Sequence, residues 1–178
     1  MSAPSSGFDA KRVVDGLRAK CGDSEFGYRL QALFAHILLR LSARIVEINA
    51  QGHPDIRAVL GDRELLIQVK TCSHSSAATI FEITREDVSG ITEGGRRTGM
   101  LAFLDCAEPV SWIIVPADRV LAMVGRPVHV ATLRADSDRV LSADCTEEFL
   151  LILDRVGGHL PNFTYSLLRR RALNGEPL

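Results

Sequence analysis

Three polar residues in the middle of the chain stand where chemistry is possible. Asp55 opens an apolar segment, and Gln68 and Lys70 close the next one. Asp55 and Gln68 are thirteen residues apart, with a turn expected at residues 61–64, so the spacing predicts two antiparallel strands joined by a hairpin. Side chains two positions apart on a strand share a face, so Gln68 and Lys70 should point the same way while Val69 points into the core.

An oxygen-rich cluster of this kind is suited to phosphodiester hydrolysis. A hard cation polarises the phosphate and lowers the pKa of an attacking water. Mg²⁺ prefers oxygen ligands and keeps several waters, so Asp55, Gln68 and the carbonyl of Val69 suffice as a ligand set. Lys70 would orient the water or stabilise charge on the phosphate. The pattern therefore predicts a catalytic site for Mg²⁺, or for Mn²⁺ in its place, at one edge of the sheet.

Each residue in and around this cluster also has a plainer interpretation. Asp55 follows a turn, where aspartate is common, and Lys70 can be an ordinary cation at a strand end. Glu47 lies on the preceding strand and can approach the metal, but the position favours a cross-strand charge at the surface. His53 and His74 flank the cluster, and exposed loop positions are favoured for both.

The order of these segments resembles that of the PD-(D/E)XK nucleases. Pro54-Asp55 stands as the PD element and Gln68-Val69-Lys70 as the (D/E)XK element, with Gln in place of the acid. The Gln-x-Lys ending is similar to that of Mrr-like restriction endonucleases, and the spacing looks like that of archaeal Holliday-junction resolvases. The resemblance covers roughly residues 25–115. It implies a restriction-endonuclease-like fold and a metal-dependent endonuclease that cuts DNA in restriction, defence or repair.

Nucleases of this family often carry a further acid on the first core helix. The position that matches by its distance to the first strand is Gln31, and the nearest acid is Glu25, a turn and a half earlier. Glu25, Gln31 and Glu47 are therefore the candidates for an outer ligand. Gln68 removes a negative charge, which should weaken Mg²⁺ binding. A second hypothesis follows: a nuclease-fold module without catalysis that binds nucleic acid or a protein partner.

Hydrophobic periodicity predicts the elements that position these residues. Helices are expected at residues 9–20, 25–42, 84–92 and 146–156. Strands are expected at residues 44–49, 55–60, 65–70, 79–83, 100–106 and 112–115. Thr84 and Asp87 have the spacing of a capping box. A central mixed sheet flanked by helices, an α/β fold, is the natural way to bury these apolar faces.

Length and composition limit the remaining possibilities. The chain has 178 residues, which suits one domain, divided here into an extension (1–22), a nuclease-like domain (23–160) and a tail (161–178). No apolar run is long enough to cross a membrane and no secretory signal is visible, so a cytoplasmic protein is expected. Four scattered cysteines fit reduced thiols. A net charge of −1 argues against a generically basic binder. DNA is expected as the partner more than RNA, and duplex cleavage suggests a homodimer.

Overall fold

The computed structural model describes Pro4 and residues 7–49, 54–71, 80–92 and 97–178, with only the backbone at Ile80 and Arg97. These ranges contain seven α-helices and one 3₁₀ helix. The α-helices are α1 (Ala10–Cys21), α2 (Asp23–Arg40), α3 (Arg85–Ser89), α4 (Ala117–Leu121), α5 (Val130–Ala135), α6 (Arg139–Val156) and α7 (Tyr165–Leu173), and the 3₁₀ helix is Gly157–Asn162.

The strands form a five-stranded sheet and a two-stranded sheet. They are β1 (Arg44–Ile48), β2 (Ile56–Leu60), β3 (Arg63–Thr71), β4 (Ile80–Glu82), β5 (Arg97–Asp105), β6 (Ser111–Pro116) and β7 (Pro127–His129). The large sheet has the order β1-β2-β3-β5-β6, and β4 pairs with β7. The β3–β5 pair is parallel, and the other neighbours in the large sheet are antiparallel. The predicted mixed central sheet flanked by helices is confirmed.

Successive residues of β3 point to opposite faces of the sheet, and each face carries its own core. Leu65, Ile67 and Val69 join a hydrophobic cluster that includes residues of α1, α2, α6 and α7. Leu66 joins a second cluster with residues of α3, α4, α5, β4 and β7. In the first core Trp112 lies between Phe34 and Phe149, with ring centroids 4.5 and 5.8 Å away. The sheet therefore forms the middle layer of the fold.

The first two predicted helices are present, but their junction differs from the prediction. Asp9 caps α1 by accepting a hydrogen bond from the Arg12 N–H at 2.9 Å. The helix predicted at 25–42 begins at Asp23 and ends at Arg40, two residues earlier than predicted at each end. The chain turns at Gly22, whose φ of 77° suits glycine. Asp23 pairs with Arg18 at 2.6 Å.

The later elements also differ from the predictions. The helix predicted at 84–92 is shorter, Arg85–Ser89, although its capping box is confirmed. The helix predicted at 146–156 begins at Arg139, because Asp138 accepts a hydrogen bond from the Leu141 N–H and caps it there. It is not the last element, since α7 follows. Residues 117–135, for which no element was predicted, contain α4, β7 and α5.

The helices show no sign of a membrane span. None of the helices in the described ranges combines the length and the apolar character that crossing a bilayer requires.

Candidate active site

The β2–β3 hairpin places Asp55 opposite Gln68. Ile56 pairs with Ile67, so the residue before Ile56 faces the residue after Ile67. The turn consists of Gly61 and Asp62, because Leu60 already pairs with Arg63. Gly61 has a φ of 61°, a conformation that tight hairpin turns require and that glycine adopts without strain. β3 therefore begins two residues earlier than predicted.

Asp55 is held rigidly at the start of β2. Its side chain is buried, with 3% exposure, and its Oδ2 accepts a hydrogen bond from the Val69 N–H at 2.8 Å. Asn49 fixes the backbone: its N–H donates to the Asp55 carbonyl at 2.8 Å, and its Nδ2 donates to the Pro54 carbonyl at 2.9 Å. The carboxylate is thus positioned by β3 on one side and by the end of β1 on the other.

The Val69 carbonyl points from β3 toward β2, which is the side of the strand where the Asp55 carboxylate lies. The N–H and C=O of one residue point to the same side of a strand, and the Val69 N–H points at the Asp55 carboxylate. Gln68 is buried, with 7% exposure. Val69 belongs to the core on the α2 face, while Lys70 contacts α3 on the other face. The expectation that Gln68 and Lys70 share a face away from Val69 is confirmed.

Lys70 forms an ion pair that the sequence did not indicate. Its Nζ lies 2.7 Å from Oδ2 of Asp87, which is on α3. The same Oδ2 accepts from the Thr84 N–H at 2.7 Å and from its hydroxyl at 2.8 Å. Burial of Asp87 favours its neutral form, but the hydrogen bonds from Lys70 and Thr84 outweigh this and lower the pKa of Asp87. Asp87 is therefore ionised at neutral pH.

Helix α7 lies beside Asp55 on the α2 side of the sheet. Arg169 Nε donates to the Ile48 carbonyl at 2.8 Å, which fixes α7 to the end of β1. Burial raises the pKa of Tyr165, Arg169 lowers it in part, and the Asp55 carboxylate raises it further. Tyr165 also contacts Tyr28 of α2, with ring centroids 5.7 Å apart. The sequence predicted a tail at residues 161–178 and no helix there. The signal in this segment is the basic run Arg169-Arg170-Arg171.

The candidate outer ligands lie in three different environments. Gln31 is on α2, and its Oε1 is buried without a hydrogen-bond partner in the described part of the chain. Glu25 pairs with Arg29 at 2.7 Å, one helical turn away. Glu47 pairs with Arg57 at 3.5 Å on the neighbouring strand, which confirms the cross-strand charge favoured for it. Glu25 and Glu47 are therefore both paired with an arginine, whereas Gln31 is not paired with a charged group in the described part of the chain.

The groups that β2 and β3 bring to this end of the hairpin are of the kinds that a hard cation binds. They are a carboxylate, an amide oxygen and a backbone carbonyl, and oxygen donors of these kinds are what Mg²⁺ and Mn²⁺ take, whereas zinc prefers sulfur and nitrogen. One carboxylate implies weak binding. Within the described ranges, no group of three or more His, Cys, Asp or Glu side chains is arranged to hold a metal ion. His53 and His74, the flanking histidines, lie outside those ranges.

No protein-family model matches the chain. No curated protein matches it. Among solved structures, the chain is similar to Hjc of Archaeoglobus fulgidus, a Holliday junction resolvase from an archaeal hyperthermophile, with a TM-score of 0.45 and 16% sequence identity. The similarity covers 60% of this chain and 90% of that one.

Proposed function

We propose that the protein is a metal-dependent endonuclease that hydrolyses phosphodiester bonds in DNA. The observation that supports the proposal is the register of the β2–β3 hairpin, which places Asp55 opposite Gln68 at the end of the hairpin that also carries Val69 and Lys70, together with the hydrogen bond from the Val69 N–H to Asp55. Asp55 and Gln68 are both buried, and the free-energy cost of burying a carboxylate is offset by hydrogen bonds such as that from the Val69 N–H and would be offset further by a bound cation.

Each residue has a distinct role in this proposal. Asp55, Gln68 and the Val69 carbonyl would hold Mg²⁺, which when bound polarises the phosphate and acidifies a water. Asp55 is kept in place by the Val69 N–H, so it does not need to reorganise before it binds. Lys70 would hold the attacking water or a phosphate oxygen by donating a hydrogen bond from its ammonium group.

The substrate is proposed from the chemistry of the site. A phosphodiester in DNA offers the anionic oxygens that a hard cation and an ammonium group recognise. The described part of one chain carries one such cluster, so cleavage of both strands of a duplex calls for two chains, and we propose a homodimer for that reaction. Restriction, defence and DNA repair are the processes that use such an enzyme.

A non-catalytic module that binds nucleic acid or a protein partner is the second candidate. It is favoured by the neutral Gln68 and by the ion pair that occupies Lys70. A site with a single carboxylate binds Mg²⁺ weakly. A module of this kind would still hold nucleic acid through its cations, so binding without cleavage distinguishes it from the enzyme.

The first test is cleavage of plasmid, branched and single-stranded DNA by the purified protein in Mg²⁺ or Mn²⁺. We expect Asp55→Ala and Lys70→Ala each to lower the rate by about a hundredfold or more, because each removes a group that acts in the transition state. Lys20→Ala and Asp62→Ala change an exposed lysine and an exposed aspartate and serve as matched controls.

The outcomes of this test separate the two candidates. Metal-dependent cleavage that both site substitutions abolish and both controls retain supports the endonuclease. Cleavage that survives Asp55→Ala and Lys70→Ala contradicts the assigned site. DNA binding by the wild type without cleavage in either metal supports the non-catalytic module.

A further inference from the structure

The surroundings of Lys70 point to a residue beyond the cluster that the sequence predicted. Lys70 extends from β3 toward α3, and its side chain is 28% exposed, whereas that of its partner Asp87 is 11% exposed. An exposed lysine at a strand end has four flexible methylene groups and no fixed direction. A contact at 2.7 Å with a mostly buried carboxylate removes that freedom.

Asp87 is itself fixed by its position at the start of α3. It is the third residue after the cap residue Thr84 and forms both hydrogen bonds of a capping box. One oxygen, Oδ2, therefore receives the Thr84 N–H, the Thr84 hydroxyl and the Lys70 ammonium group. A carboxylate bound this way has little freedom to follow a moving lysine.

The packing of α3 sets the height of Asp87 above the sheet. Val88 and Ile91 are buried in the hydrophobic cluster that also contains Leu66, two strand positions before Gln68. The turn at Ile91 lies directly on Gly99 of β5, where an added Cβ would come within 1.6 Å of the Ile91 carbonyl oxygen. Gly99 pairs with Leu66, so α3 rests on the same part of the sheet that carries the site.

We propose that Asp87 is a positioning residue that fixes the ammonium group of Lys70 within the candidate active site. The inference rests on the proposed function for its catalytic consequence. The capping box thus has two roles: it begins α3, and it orients the lysine that donates to the water or the phosphate. Asp87 acts through Lys70 and does not itself contact the substrate.

The first measurement is the side-chain mobility of Lys70, which does not depend on activity. The chain has three lysines, Lys11, Lys20 and Lys70, so ¹³C-lysine labelling gives few signals, and Lys70→Arg identifies the Lys70 signal by its loss. We expect the ¹³Cε relaxation of Lys70 to show an ordered group in the wild type. In Asp87→Asn it should become as mobile as the exposed Lys20, because the charge that holds it is gone while an oxygen still accepts from Thr84.

Two control variants separate positioning from general effects. Glu86→Gln neutralises the exposed neighbouring acid on α3, and Ser142→Ala destabilises the protein at α6. Lys70 should stay ordered in both. The proposal is overturned if Lys70 is as mobile as Lys20 in the wild type, if it stays ordered in Asp87→Asn, or if it loosens equally in the controls.

The second measurement is the steady-state rate on the DNA that the wild type cuts. Asp87→Asn should lower kcat about tenfold and change KM much less, because a displaced lysine affects the reacting geometry more than binding. Glu86→Gln and Ser142→Ala should keep kcat. A loss of kcat in Ser142→Ala as large as in Asp87→Asn would overturn the catalytic consequence. Absence of cleavage by the wild type would contradict the proposed function. The mobility of Lys70 would still show whether Asp87 positions it.

Discussion

At Gln68 a neutral amide stands opposite the Asp55 carboxylate, and both side chains are buried. Because Gln68 is neutral, the site has no second buried charge. A charge at this position would repel the Asp55 carboxylate and cost free energy of folding when no cation is present. It would also leave a bound cation with one carboxylate, and affinity for hard cations follows the charge of the ligand set. In the proposed metal site, affinity for the cation and stability in its absence are therefore opposed at this one residue.

This opposition predicts the effect of Gln68→Glu. Without metal the melting temperature should fall, because a second carboxylate is desolvated beside Asp55. With Mg²⁺ the melting temperature of the variant should rise again, and we expect the variant to bind Mg²⁺ about tenfold more tightly than the wild type. Thermal unfolding in EDTA and in a Mg²⁺ titration, together with calorimetric titration, measures both effects.

A double variant provides the control. In an Asp55→Asn background, Gln68→Glu restores one carboxylate and should give no gain over the wild type. An equal Mg²⁺ response of Gln68→Glu and the wild type would show that the cation does not bind at this residue.

At the scale of elements, α6 protects the edge strand β6. The outer backbone groups of an edge strand lack strand partners and invite pairing with other chains. Here Ser142 Oγ accepts from the Ile114 N–H at 2.9 Å, and Thr146 Oγ1 accepts from the Trp112 N–H at 2.8 Å. The Asp138 N–H donates to the Ile114 carbonyl at 2.8 Å. Two side chains of α6 and the backbone N–H of its cap residue thus make the hydrogen bonds that a neighbouring strand would otherwise make.

Ser142→Ala and Thr146→Val test this arrangement. Each leaves a largely buried backbone N–H without its acceptor, so each should lower the free energy of unfolding by about 1–3 kcal/mol. Urea unfolding followed by the fluorescence of Trp112, the one tryptophan of the chain, measures the change. Ser137→Ala removes only an exposed hydrogen bond to the Arg134 carbonyl and should have little effect. A loss below about 0.5 kcal/mol in both test variants would mean that water replaces the hydroxyls.

At the scale of the whole molecule, residues 157–178 are part of the core structure. Leu160 and Ala172 are buried in the cluster that α2 and the sheet share. His36 of α2 contacts the Leu168 carbonyl of α7 through Nε2 at 2.9 Å. A carbonyl only accepts, so Nε2 carries the proton, and Nδ1 is buried without a partner among the described residues. The neutral ring is thus the form that the folded protein accommodates.

This contact predicts a dependence of stability on pH. Burial lowers the pKa of His36, the Leu168 hydrogen bond partly opposes this, and Arg171 lowers it further. The unfolded chain then binds more protons, so stability is complete above the ordinary histidine pKa of about 6.5 and is lost as the pH falls below it, down to the lowered pKa of the folded state. The slope contributed by one proton is at most about 1.4 kcal/mol per pH unit.

Urea unfolding between pH 5 and pH 8 checks this expectation. His36→Gln removes the titrating group and should flatten the dependence in that range. His159→Gln changes an exposed histidine and should leave it unaltered. An unchanged slope in His36→Gln would assign the dependence to another group.

The amino-acid sequence by itself determined the local parts of this protein. The alternation of Leu65, Ile67 and Val69 against Leu66 and Gln68, together with the glycine at 61, predicts the hairpin, whereas its exact register follows from a turn two residues shorter than expected. This places Asp55 beside Gln68 and Val69, because strand periodicity and turn chemistry act between near neighbours. The capping box at Thr84 is local for the same reason. The roles of Glu25 and Gln31 stay predictions.

The tertiary structure alone decided which distant residues meet at the site. Arg169 reaches the carbonyl of Ile48 across 121 positions of sequence, and Asp87 meets Lys70 because α3 packs on the β5 face beside it. Such contacts depend on how helices dock on a sheet, and docking is set by the combined burial of many side chains rather than by any local pattern. The sequence therefore located the cluster, and the packing of α3 and α7 supplied its surroundings.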